Sequence, residues 1–125
     1  MIVGVQDVYV YVADMERAIR FYGDLLGLKV TYNDGHWAAL DVGGVRMGLH
    51  STGGAPVPAV PRDAGGTKAG ATLTLRSTNI DEDVDRLRIV GVRFIGSIFR
   101  ADWGAVIAFE DPDGNILKLM QPPEA

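Results

Sequence analysis

Helix-start and helix-stop signals occur twice in this chain at nearly the same separation. Asp14 and Asn79, each placed to cap a helix, differ by 65 positions, and Gly27 and Gly91, each placed to end one, differ by 64. The hairpin glycines Gly44 and Gly114 differ by 70. Spacing of this kind marks a duplicated unit. Within the first copy, Val8, Val10 and Val12 alternate with Tyr9 and Tyr11, the period of a strand with two unlike faces. Met15, Ile19, Tyr22 and Leu26 then recur at helical spacing between Asp14 and Gly27. Leu28 to Tyr32, Trp37 to Asp41 and Val45 to His50 read as three further strands, divided by the turn signals Asn33-Asp34-Gly35 and Gly43-Gly44. The order is β-α-β-β-β.

The pattern lapses from Ser51 to Lys68, where glycine and proline replace periodicity. This stretch reads either as a plain connector or as a lid over a binding site. Gly65-Gly66-Thr67-Lys68 has the wrong residue order for a phosphate-binding loop. Ala71 to Arg76 then reads as a strand, and Asn79 with Glu82 as a capping box for a helix whose apolar stripe is Ile80, Val84 and Leu87. Val92 to Ile95 with Ile98 to Arg100, Ala105 to Phe109, and Asn115 to Met120 complete three more strands, the last two joined by Asp111-Pro112-Asp113-Gly114. The second unit therefore repeats the first, with module boundaries near 2–51 and 70–122 and a linker near 52–69.

With 47% apolar residues and 22% charged, 125 residues suffice for one ordinary globular domain. The absence of cysteine excludes thiol nucleophiles, zinc-thiolate sites and disulfides. No apolar run approaches the roughly 20 residues that span a bilayer, and Asp7 interrupts what would otherwise be the start of a secretion signal, so the expected location is the cytoplasm. A net charge of -4, with 12 basic residues dispersed along the chain, argues against a nucleic-acid surface.

The stretch Val12-Ala13-Asp14-Met15-Glu16-Arg17-Ala18-Ile19-Arg20-Phe21-Tyr22, followed by Leu25-Leu26-Gly27-Leu28, resembles the vicinal oxygen chelate superfamily. Phe109-Glu110-Asp111-Pro112-Asp113-Gly114-Asn115 carries the same resemblance near the end of the chain. That superfamily contains glyoxalase I, extradiol dioxygenases, fosfomycin-resistance enzymes and bleomycin-resistance binding proteins. The resemblance implies an α+β fold of two β-α-β-β-β modules, with curled mixed sheets around a ligand cavity and helices outside, and it implies a homodimer. Its shared motifs are capping, turn and packing residues, which carry the fold rather than the chemistry.

In metal-dependent members the ligands lie on the first and last strands of each module. Carried onto this chain, those positions are Asp7, Gly48, Thr72 and Lys118. Gly48 offers no side chain, and a lysine ammonium must lose its proton before it can bind a metal. No metal and no cofactor is expected from this set. Asp7 and Lys118 either pair, filling the charge role of the lost cation, or are solvated separately by cavity water. In the paired case, removing one partner leaves the other uncompensated, at a cost of about 3 to 5 kcal/mol.

Strand parity extends the expected wall. Tyr9 and Tyr11 share a face with Asp7, Arg46 and His50 with Gly48, Thr74 and Arg76 with Thr72, and Ile116 and Met120 with Lys118. The opposite parity, rich in valine and leucine, is expected beneath the helices. Trp37 and Trp103 are available either to stack on a planar ligand or to pack internally. His50 is either buried and hydrogen-bonded at its strand end or in contact with ligand, whereas His36 lies in a solvated turn. Glu110, Asp111 and Asp113 read as turn residues rather than as acid-base catalysts.

These readings converge on a metal-free protein that binds and sequesters a small planar or amphiphilic molecule, with no catalytic residue assigned. The alternatives are a lyase, isomerase or dioxygenase-like enzyme of the same superfamily, with Asp7 or Tyr9 carrying a proton or with an unfamiliar metal set, and a regulatory domain without catalysis. Arg46, Arg76 and Lys118 outnumber Asp7 on the inferred face, so an anionic or neutral polar ligand is expected over a cationic one.

Overall fold

The computed structural model describes residues 1–124. The chain divides into two compact units, Met1–Pro58 and a second that begins at Ala59, so the break falls inside the expected linker. Both have a four-stranded mixed sheet with a helix.

In the first unit the strands are β1 (Val8–Val12), β2 (Lys29–Asn33), β3 (Trp37–Val42) and β4 (Val45–Ser51), in the sheet order β1-β4-β3-β2. β1 runs parallel to β4, with Tyr9 opposite Gly48 and Tyr11 opposite His50. β3 and β4 form an antiparallel hairpin about Gly43 and Gly44, whose φ values of 62° and 90° suit the tight turn that only glycine takes without strain. Helix α1 (Met15–Ile19) starts at Asp14, whose side chain accepts a hydrogen bond from the Arg17 backbone N–H at 3.1 Å. It does not continue as the single α-helix the spacing suggests. Residues Arg20–Leu25 widen into a π-helix, and the Leu26 N–H bonds the Phe21 carbonyl five residues back. Two consecutive aromatics within it, Phe21 and Tyr22, are buried, with ring centroids 5.0 Å apart.

In the second unit β5 (Leu73–Arg76), β6 (Arg93–Ala101), β7 (Gly104–Glu110) and β8 (Ile116–Gln121) take the order β5-β8-β7-β6, and α2 spans Ile80–Ile89. Asn79 caps α2 by accepting from the Glu82 N–H, and Ile80, Val84 and Leu87 are its buried stripe, as their spacing indicates. β5 is shorter than expected and leaves Thr72 just outside the ladder. The two strand fragments read around Gly96 and Ser97 are one strand. Its register against β7 slips between Ile95 and Phe99, where Gly96 sits at a φ of 74°.

The expected sidedness holds in both sheets except at the start of β1, where Val8, expected beneath the helix, is 43% exposed. Val12, Met47 and Leu49 are buried, as are Leu75, Leu117 and Leu119, while Tyr9, Tyr11, Arg46, His50, Thr74 and Arg76 are exposed. Each sheet thus spends one apolar face on its core and leaves the other open.

The former linker is partly fastened. Arg62 donates to Glu110 at 2.7 Å and to the Gly114 carbonyl, tying it to the β7–β8 turn. The Asp63 carboxylate collects the Thr67 and Lys68 N–H groups, both at 3.0 Å. Those bonds hold the Asp63 carboxyl below its ordinary pKa, the Lys68 N–H contributing most. The glycine-rich segment that faintly suggested a phosphate loop therefore uses these N–H groups to close its own turn.

Candidate functional site

The open face of the first sheet carries a cluster of rings. Tyr9 stands 5.5 Å from Tyr11 and 5.6 Å from Trp37, centroid to centroid, in edge-to-face geometries. His50 lies 5.8 Å from Tyr9, 5.3 Å from Tyr11 and 6.0 Å from Trp37. Register explains the grouping: Tyr11 and Trp37 both pair with His50, from opposite sides of β4. Tyr9 and Tyr11 remain 45% and 41% exposed, so this is an aromatic surface rather than a core. His50 is exposed, with Nδ1 3.1 Å from the Ser51 carbonyl oxygen, which overturns its reading as a buried histidine. The ring sits at the end of a strand on the open face, where no second layer of this unit covers it. His36 is exposed in its turn, as expected.

The hydroxyls of Tyr9 and Tyr11 meet at 3.4 Å. That contact, reinforced by the Asp7 charge, raises the Tyr9 pKa above its ordinary value and keeps the phenol neutral. A proton-transfer role for Tyr9 gains nothing from this shift, because a base near neutral pH requires a lowered phenol pKa. Asp7 itself is half-buried immediately before β1.

Gly48 is buried although it carries no side chain. The far end of the Trp37 indole covers it: a Cβ placed on Gly48 would stand 2.1 Å from Trp37 Cη2, 2.5 Å from Cζ2 and 2.9 Å from Tyr9 Cβ. The direction in which a metal ligand would project from this position is filled by a ring. Among the described residues, no group of three or more His, Asp or Glu side chains is placed to hold a metal ion. With an indole over Gly48 and a lysine at 118, the residues present do not fit the metal centre that the resemblance implies.

On the second sheet, Thr74 pairs with Lys118 and Arg76 with Met120 across the parallel β5–β8 ladder. Lys118 is half-buried in the middle of the sheet, flanked by Thr74 and, on β7, by Ala108. Among the described residues neither Lys118 nor Arg76 has an ion-pair partner. Further along the same face Glu110 is shared by Arg62 at 2.7 Å and Arg93 at 3.4 Å. Thr72, half-buried, donates its hydroxyl to the Gly70 carbonyl at 3.1 Å and belongs to the approach to β5. Trp103 lies at the β6–β7 turn, 49% exposed and stacked on Phe99 at 6.0 Å.

Sequence reasoning missed Phe99, which the register slip in β6 carries opposite Val106 on the open face, and Arg62, the strap from the linker. A single glycine inside an apolar strand was the available signal for the first; none marked the second. A groove of about 440 Å³ beside the start of α2 is lined by residues such as Asn79, Asp81, Arg100 and Gln121, and by none of the expected ligand residues.

Residues 4–119 match the sequence profile of the Glyoxalase/Bleomycin resistance protein/Dioxygenase superfamily. The chain belongs to this superfamily. Across the superfamily, a solved antibiotic binding protein, TnmS3 from Streptomyces sp. CB03234, is 29% identical and superposes with a TM-score of 0.73 over 98% of both chains. The fosfomycin resistance protein FosX of Listeria monocytogenes shares the fold at 16% identity and a TM-score of 0.73, covering 98% of this chain and 96% of its own. An uncharacterized Bacillus subtilis protein, YetH, is 23% identical over 97% of this chain and all of its own length.

Proposed function

We propose that this superfamily member binds and sequesters a small planar or amphiphilic molecule and releases it unaltered. The observation that carries the reading is the exposed ring cluster of Tyr9, Tyr11, Trp37 and His50 on a sheet face whose counterpart metal position is covered by an indole. Such a surface offers apolar contact and a few polar tips, which suit recognition and supply no activated nucleophile or Lewis acid. The likeness to an antibiotic binding protein at 29% identity supports the same reading.

The ligand in this reading is anionic or neutral and polar. Lys118 is a half-buried cation with no ion-pair partner among the described residues, flanked across the ladder by Thr74 and Ala108, and a partly desolvated ammonium gains most from a carboxylate or phenolate brought to it. Arg76, two positions past Thr74 on β5, adds a second exposed positive charge to this face. The working form is a homodimer in the cytoplasm.

Calorimetric titration with a planar carboxylate, 2-naphthoate, and with a cationic glycopeptide drug tests the reading. The carboxylate is expected to bind more tightly, to weaken with added salt, and to lose about tenfold in affinity in Lys118→Met, the effect of one charge-assisted hydrogen bond. Mass spectrometry of the released ligand is expected to return it unchanged. Tight, salt-insensitive binding of the cation, unaffected by Lys118→Met, overturns the charge argument; turnover of the ligand overturns sequestration.

A further inference from the structure

Resting on the binding reading above, we infer that residues 60–70 form a lid at one end of the open face of the second sheet, latched by Arg62, and that its opening sets the rate at which ligand enters and leaves beside Lys118. The segment is folded on itself rather than drawn across a gap. The Asp63 N–H bonds the Lys68 carbonyl at 3.0 Å, and the Gly66 N–H bonds the Asp63 carbonyl at 3.0 Å. The Asp63 carboxylate closes the same turn on the Thr67 and Lys68 N–H groups. Outside it the two stems meet, with Val60 Cγ1 3.8 Å from where a Cβ on Gly70 would stand. A short surface loop with joined ends is a compact flap that can move as a unit. Every residue of this flap is exposed or half-buried, so the core does not hold it down. Among the described residues, Arg62 is the one side chain of the flap that bonds the sheet.

Register locates the anchor. Glu110 ends β7 opposite Ile116, the first residue of β8, and β5 begins one position further on, where Leu73 pairs with Leu117. The chain leaving Arg62 must therefore cross the end of β8 to enter β5, two strand spacings or about 10 Å away. Lys118 stands two residues along β8 from Ile116, about 7 Å in from that end. The Arg62 guanidinium joins the Glu110 carboxylate on the open face to the Gly114 carbonyl in the β7–β8 turn. With side chains 30% and 21% exposed, the Arg62–Glu110 pair is partly desolvated and holds more firmly than a fully exposed pair. Glu110 also has Arg93, 3.4 Å away on the neighbouring strand. The latch can thus let go without leaving the carboxylate uncompensated, which is what a reversible gate requires.

Stopped-flow mixing of 2-naphthoate with Arg62→Met and with Glu110→Gln tests the lid, because the two substitutions remove opposite charges from one contact. An unlatched lid speeds entry and exit alike. In each variant the association and dissociation rates are expected to rise about tenfold, the weight of one charge-assisted hydrogen bond, with Kd moving less than about threefold. Steering by charge instead slows association of the anion in Arg62→Met and quickens it in Glu110→Gln. That opposed pattern, or wild-type rates in both variants, overturns the lid and leaves the binding reading intact. Trypsin cleavage after Lys68 in ligand-free protein is expected to quicken in both variants, and unchanged cleavage overturns the latch. Failure of the wild-type protein to bind naphthoate removes both readings. Arg62→Met leaves Glu110 paired with Arg93 and is expected to keep the circular dichroism of the fold, so its rates decide the question should Glu110→Gln fail to fold.

Discussion

Replacing Asp111 with alanine is expected to unfold the second unit more readily without redirecting what the protein binds. Asp111 sits between β7 and β8, 1% exposed. One carboxylate oxygen accepts from the Asp113 N–H at 2.9 Å and the Asn115 N–H at 2.8 Å, and the other from the Asn115 side-chain amide at 2.8 Å. The turn is closed further by the Asp111 N–H to the Asn115 carbonyl at 3.0 Å and the Gly114 N–H to the Asp111 carbonyl at 3.1 Å. Truncation strips three donors of an ionised acceptor in a part-buried turn. Hydrogen bonds to charged groups contribute about 1.5 to 3 kcal/mol each, and water entering the vacated space recovers part of that, leaving a net loss of about 3 kcal/mol. For a chain of this size that lowers the melting temperature by roughly 10 °C, a large share of the 5 to 15 kcal/mol that domains typically possess. Urea and thermal denaturation followed by circular dichroism measure it, with Asp111→Asn falling between the two because it keeps one acceptor oxygen. A melting temperature within about 1 °C of wild type, or lost naphthoate binding at unchanged stability, would refute the architectural reading of this acidic cluster.

Gly114→Val is expected to destabilise through the same turn, since residue 114 has a φ of 83°, and folded protein should retain its ligand preference; a titration beside a melting curve separates the two. The pH response of the β2–β3 loop follows from Asp34, whose pKa is lowered chiefly by the Trp37 N–H, then by the His36 N–H and the Tyr32 hydroxyl. Because the folded value lies below the unfolded one, the loop's contribution is present above the ordinary aspartate range and lost as pH falls through the lowered value. Tyr32, raised by the same contact, loses its part only as pH rises through its elevated phenol value, so the protection factors of the His36 and Trp37 amides, measured against the intrinsic exchange rate at each pH, should hold between those limits. Elemental analysis of dialysed protein is expected to show no divalent metal approaching one equivalent, and Asp7→Ala should not change the result.

The duplicated architecture was legible because its signals are local. A cap acts within three residues, as Asp14 does on Arg17 and Asn79 on Glu82, and strand parity survives wherever one face is covered and the other is not. The π-helical turn was not legible, because no local preference inserts a residue into a helix. Phe21 and Tyr22, both buried, lie within it. The slip in β6 is of the same kind: the strand was legible on both sides of Gly96, and only the pairing with β7 shows that its register shifts there.

Gly48 stands between these cases. Assigned by resemblance to a ligand position, it reads as a loss, a metal site with one member missing. Its own hairpin contains a different answer. A tight turn at Gly43-Gly44 fixes Val42 opposite Val45, and counting back along both strands sets Ala39 against Gly48 and Trp37 against His50 on one face. Two of the smallest residues then lie side by side on the sheet, one of them two positions from its largest side chain. An indole has to lie over something, and the place without a Cβ is where it can come closest to the backbone. The absence of a side chain at 48 is therefore a requirement of the ring at 37, and the aromatic face is built from the pair.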